Sequence, residues 1–177
     1  MKLENKRVAI LSATGYEKSE LEKPKQRLKD EGAEVVIVSL EKGKIKGMTG
    51  TEWDGEQEVD KLVADAKSAD FDGLVIPGGV INPDKLRTDE DVLSFIKSFF
   101  EEDKPVAAIC HGPQVLIDAK LVEGRTMTSY KAIENDLKNA GANWKDEEVV
   151  VDGNLITSRK PKDIPAFNDK IVELLAK

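Results

Sequence analysis

Four short apolar runs constrain what this chain can fold into: Arg7-Val-Ala-Ile-Leu-Ser12, Val35-Val-Ile-Val-Ser-Leu40, Phe71-Asp-Gly-Leu-Val-Ile76 and Val106-Ala-Ala-Ile109. Each has the length of a buried strand rather than of a helix. Helical segments fall between them. Asp89 to Glu102, for instance, puts Val92, Phe95, Ile96 and Phe99 on one face. Strands joined through helices by short connections cross over right-handed and therefore run parallel. The pattern predicts a doubly wound α/β fold with a mostly parallel sheet, as one domain over residues 1–177 without repeats or linkers.

Smaller features fill in around that frame. Ser19 with Glu22 reads as a capping box opening a helix that runs to about Asp30, with Pro24 inside it. Lys44 to Trp53 reads as a small hairpin with Gly47 and Gly50 at its turns, and Glu58 to Ala66 has helical spacing. Asn82 to Arg87 suggests a short turn or helix. Val149 to Ser158 reads as a hairpin through Asp152-Gly153-Asn154, and Ile164 to Leu175 as a closing helix. Trp53 and Trp144 are expected to be packing residues.

Composition removes several function classes. A net charge of −7 and the lack of a basic run argue against a nucleic-acid partner. One cysteine cannot form an internal disulfide, which suits a reducing compartment. With no apolar leader region and no stretch of membrane-spanning length, the expected location is cytoplasmic and no membrane partner is expected. Neither a Walker-type nor a Gly-x-Gly-x-x-Gly phosphate loop is present. One Cys and one His offer too few N/S ligands for a metal, so neither metal nor other cofactor is expected.

That single cysteine and single histidine are neighbours, in Ala108-Ile-Cys-His-Gly-Pro-Gln114. The fourth strand ends at Cys110, and a helix opens at Gly112-Pro113, where proline suits the first helical position. Reactive groups in open α/β sheets sit at such strand ends. A free thiol with a pKa of about 8.5 is only about 3% thiolate at neutral pH. Bringing it to about 5.5 takes roughly 4 kcal/mol of differential stabilisation. The N-terminus of the following helix, His111 and a proton-sharing carboxyl group are the available sources. Pro77-Gly78-Gly79, which ends the preceding strand, offers backbone N–H groups that, with that of His111, suit an oxyanion.

Ala108 to Gln114, with Pro77-Gly-Gly79 upstream and Thr128-Ser-Tyr130 downstream, resembles the PfpI-type intracellular protease and general stress protein family. That family lies in the superfamily of the Parkinson-disease-associated protein deglycase. The resemblance runs nearly end to end and implies a three-layer, flavodoxin-like fold similar to class I glutamine amidotransferases. It implies Cys110 as nucleophile, His111 as general base, and Glu17 as the first-loop glutamate that hydrogen-bonds the sulfur. Gly79 and the N–H of His111 match the oxyanion hole. Asp84 matches an acidic residue that in protease-like members reaches the His of a neighbouring subunit. Here it is Asp where some members have Glu, with one residue inserted between Gly79 and Pro83. The resemblance further implies a homodimer or larger homo-oligomer, and a small reactive carbonyl, glycated or peptide substrate. The expected activity is that of a stress-response glyoxalase or deglycase converting methylglyoxal to lactate. The alternatives are a cysteine peptidase, a redox sensor using the oxidisable Cys110, and a chaperone.

Overall fold

A computed structural model describes residues 1–177. The chain runs β1 (Arg7–Leu11), β2 (Tyr16–Glu17), α1 (Lys18–Asp30), β3 (Glu34–Ser39), β4 (Lys44–Thr49), β5 (Glu52–Glu58) and β6 (Lys61–Leu62). It continues through β7 (Gly73–Ile76), α2 (Ile81–Leu86), α3 (Glu90–Glu101), β8 (Val106–Ile109), α4 (Pro113–Asp118) and β9 (Thr126–Met127). The last elements are α5 (Glu134–Asn139), β10 (Asn143–Trp144), β11 (Val149–Asp152), β12 (Leu155–Ser158) and α6 (Ile164–Leu175). A seven-stranded sheet forms the middle layer in the order β11-β12-β8-β7-β1-β3-β6, parallel except for the β11–β12 hairpin. The fold is thus the expected α/β one.

Side-chain alternation along each central strand builds a core on both faces of the sheet. Ala9, Leu11, Leu74, Ile76, Val106 and Ala108 point to the side covered by α3, α4 and α5. There Phe71, Phe95 and Phe99 pack together, with the Phe95 and Phe99 rings edge to face at 5.1 Å. Val8, Ile10, Val75, Ala107 and Ile109 point the other way, toward α1 and α6. Burial on both faces is why these strands read as continuous apolar runs rather than as alternating ones. No helix is long and apolar enough to cross a membrane.

Four local expectations are corrected. Residues 58–66 form no α-helix: β5 extends to Glu58, β6 pairs with β3, and Val63–Asp65 make a single 3-10 turn. There the Asp60 carboxylate takes the backbone N–H of Ile37 (2.7 Å), tying the segment to the sheet edge. The hairpin of β4 and β5 is correspondingly longer, turning at Gly50, while Gly47 lies within β4. Helix α1 begins at Lys18 with no side-chain cap, and the Ser19 hydroxyl is buried without a partner, so no capping box forms. Trp53 is exposed on β5, whereas Trp144 is buried and its indole N–H donates to Ser129 Oγ (2.9 Å).

After β3 the chain crosses back over β1 to β7, so the strand order reverses between β1 and β7. Ligands bind open α/β sheets at such a reversal, outside the carboxyl ends of the strands. The loops after β1, β7 and β8 meet there.

Candidate active site

Cys110 is the residue at which β8 stops being a strand. Its φ is +63°, a left-handed conformation that costs a non-glycine residue roughly 1–2 kcal/mol. The surroundings hold it there: its N–H donates to the Ser158 carbonyl (3.0 Å), and its own carbonyl accepts from the Tyr130 N–H (2.8 Å). Strain at an elbow turns the side chain out of the sheet plane, toward the crevice. Pro113 then takes the first position of α4.

Two glycines let the β7 loop close on the sulfur. A Cβ on Gly78 would lie 2.5 Å from Glu20 Oε2 and 2.8 Å from Cys110 Cβ. Gly79 has a φ of +81°, and a Cβ there would meet the Gly15 carbonyl oxygen at 2.4 Å. The backbone N–H groups of His111 and Gly79 both donate toward the Cys110 sulfur. Asn82, fully buried in α2, fixes this loop. Its amide donates to the Pro77 (2.9 Å) and Gly78 (3.1 Å) carbonyls, and its Oδ1 accepts from the Ala13 N–H (2.7 Å).

The glutamate at the sulfur is Glu20, not Glu17. Glu20 is fully buried on α1, its Oε2 accepts from the Gly78 N–H (2.8 Å), and its carboxyl hydrogen-bonds the Cys110 thiol. The other oxygen, Oε1, is buried with no hydrogen-bond partner. Glu17 instead sits half-buried in β2, where its carboxylate accepts from the Gly50 N–H. The sequence held a signal for Glu20: it shares the buried face of α1 with Leu21, Pro24 and Leu28, a carboxylate on the stripe that packs against the sheet. Asn82 left no comparable signal, because its partners are backbone groups of two loops, one just before it and the other at Ala13.

His111 Nδ1 lies 3.3 Å from Cys110 Sγ, so the adjacent side chains do meet. Its ring stacks on Tyr130, centroids 4.8 Å apart, and burial lowers its pKa. The imidazole is therefore neutral at neutral pH and able to accept a proton. Asp84 is exposed on α2 and makes no side-chain hydrogen bond or ion pair within the chain. The structure does not bring it to the His111 of the same chain.

Burial pushes the Cys110 thiol up, as does Glu20 when charged, while the N–H groups of His111 and Gly79 pull it down. Burial is the largest of these influences and the net effect is a rise, which the charge state of the carboxyl either adds to or opposes. Burial pushes Glu20 up to about 8, against the Gly78 N–H and the cysteine contact that lower it. A buried carboxyl that keeps its proton at neutral pH is no longer a repelling charge but an O–H donor to the sulfur. The two groups titrate as a pair, so the proton state of one sets that of the other.

A family model described as DJ-1/PfpI family matches residues 6–174. General stress protein 18 of Bacillus subtilis is 47% identical over 174 residues, covering 97% of this chain and 99% of that protein. Deglycase PfpI of Pyrococcus furiosus is 45% identical over 169 residues, covering 96% and 99%. Among solved structures, a two-domain protein of Anabaena variabilis with DJ-1/ThiJ/PfpI-like and ferritin-like domains superposes with a TM-score of 0.91 at 42% identity. That match covers 96% of this chain and 48% of the other, so this chain spans about half the length of that two-domain protein.

Proposed function

The chain belongs to the DJ-1/PfpI family, in which relatives are named as stress proteins and deglycases, and on that premise we propose that it is a cysteine-dependent enzyme of reactive carbonyls, a glyoxalase or deglycase. The observation that carries the reading is the fully buried Glu20 carboxyl, its pKa pushed up to about 8, set against Cys110 beside the N–H groups of Gly79 and His111. Three donors around one sulfur favour the thiolate. The sulfur adds to the aldehyde carbon of methylglyoxal, forming a C–S bond while the carbonyl oxygen becomes an alkoxide. That oxygen takes the proton that Glu20 carries, and the Gly79 and His111 N–H groups stabilise the charge as it develops. His111, neutral and within reach of the sulfur, then removes the C1 proton of the hemithioacetal. Reprotonation at C2 leaves a lactoyl thioester. Water cleaves its C–S bond, giving lactate and the free thiol. Overall one water is consumed and no net oxidation occurs.

Within the chain no carboxylate orients His111, which a peptidase acting through a Cys-His-acid triad needs. The same reading takes the working unit as a cytoplasmic homodimer or larger homo-oligomer, in which Asp84 of one copy would meet the imidazole of another. The protein as it stands should convert methylglyoxal to lactate, measured by enzymatic assay of the product. Turnover should fall as pH rises through about 8, where Glu20 loses its proton and becomes a charge beside the sulfur. An absence of lactate, or activity still climbing at pH 9, would contradict the proposal.

A further inference from the structure

Glu17, displaced from the sulfur, has a place of its own. It lines a cavity of about 250 Å³ between the β4–β5 hairpin and the loop after β7. Apart from Thr51 at the hairpin turn, the other walls are apolar or backbone: Met48 from β4, Val80 and Ile81 beside the loop after β7, and Gly79, whose N–H faces the sulfur. Val80 is 66% exposed at this cavity, an apolar side chain left uncovered beside the nucleophile. Glu17 is near enough to Glu20 to raise its pKa, which sets the cavity beside the reacting centre rather than on a remote face.

What marks the cavity is a carboxylate with no cation. The adjacent Lys18 is committed to Asp54 (2.9 Å), and Glu17 has no ion-pair partner in the chain. Its one donor is the Gly50 N–H, while burial and the nearby Asp54 both disfavour its charge. A half-buried carboxylate that is poorly compensated when the cavity is empty is a group that a cationic ligand would satisfy. The apolar walls suit an alkyl stem.

We propose that this cavity is the subsite for a cationic, alkyl-stemmed part of the substrate, with Glu17 pairing an ammonium or guanidinium and Met48, Val80 and Ile81 covering its methylenes. The inference rests on the carbonyl reading above and narrows it. The preferred substrates are carbonyl adducts of amine or guanidine side chains, rather than adducts of neutral thiols. Glu17 is then a specificity residue, not a proton carrier.

The test compares methylglyoxal adducts of an arginine and of a cysteine, each blocked at both termini so that only the first is cationic. Glu17→Gln should lower the ratio of kcat/KM for the arginine adduct over the cysteine adduct by about ten- to a hundredfold, through KM. Glu17→Lys should lower it further. An unchanged ratio, or an equal fall in kcat for both adducts, would overturn the subsite, the latter by placing Glu17 in the chemistry. Butylguanidinium, which has the stem and the cation but no carbonyl, separates this inference from the carbonyl reading. Calorimetry should show it binding the unmodified protein and binding Glu17→Gln at least tenfold more weakly. Equal binding, or none, would overturn the subsite whatever the turnover assay gives. Binding of the expected kind without turnover of any adduct would support the subsite and contradict the carbonyl chemistry.

Discussion

Cys110→Ala is expected to reduce lactate formation from methylglyoxal to the rate of buffer alone, a loss of at least about a thousandfold. The size of the effect follows from there being no substitute. The chain has no second cysteine, and the Gly79 and His111 N–H groups have nothing to stabilise unless a C–S bond forms first. The substitution should leave the fold intact. It removes one sulfur atom from a residue that is 6% exposed, and alanine meets the same cost at a φ of +63° as cysteine does. Matching thermal melts for the two proteins would tie the loss to the sulfur. Retention of more than a few percent of the activity in a folded Cys110→Ala protein would remove the nucleophile from the scheme.

Glu20→Leu should lower turnover at neutral pH by roughly ten- to a hundredfold. A hydrogen bond to a charged group contributes about 1.5–3 kcal/mol, which is about one to two pKa units on the sulfur. Losing the carboxyl therefore returns much of the cysteine to the inert thiol, and it also removes the proton delivered to the alkoxide. Leucine has a comparable volume, but it leaves the Gly78 N–H without its acceptor at a cost of about 1–3 kcal/mol, so the variant should be less stable yet folded. Glu20→Gln makes the discriminating control. An amide still accepts from Gly78 and still offers an N–H to the sulfur, but it cannot give up a proton. It should restore stability and part of the thiol's reactivity, without the fall in activity near pH 8 that the carboxyl produces. If Glu20→Leu and Glu20→Gln both kept full turnover, the carboxyl would be a structural anchor for Gly78 and nothing more.

The parts of this molecule that could be read from the sequence are those whose cause is local. A central parallel strand announces itself as an apolar run because both of its faces are covered, and Val8 to Leu11 supply both cores by simple alternation. The elbow was legible because strand end, cysteine, glycine and helix-opening proline are contiguous from Cys110 to Pro113. Glu20 was not, because its contact with Cys110 spans ninety positions of chain and the nearer Glu17 offers the same side chain to any count from the first loop. What separates the two is which face of α1 packs on the sheet, a property of tertiary structure. The misassigned helix at residues 58–66 has the same origin: its spacing suits a helix, but pairing of Lys61-Leu62 with β3 outweighs that local preference. Asn82 shows the limit most plainly, since three backbone bonds from one side chain leave no periodic trace.

Because the protein has one cysteine, the pH dependence of its alkylation by iodoacetamide reports on the sulfur alone. In the proposed active state Glu20 holds the proton of the pair and two backbone N–H groups face the sulfur, so the reaction rate should titrate with a midpoint below the about 8.5 of an ordinary thiol, against the rise that burial alone imposes. A midpoint at about 8.5 or above would mean that burial outweighs the three donors, and that the resting site holds an ordinary thiol.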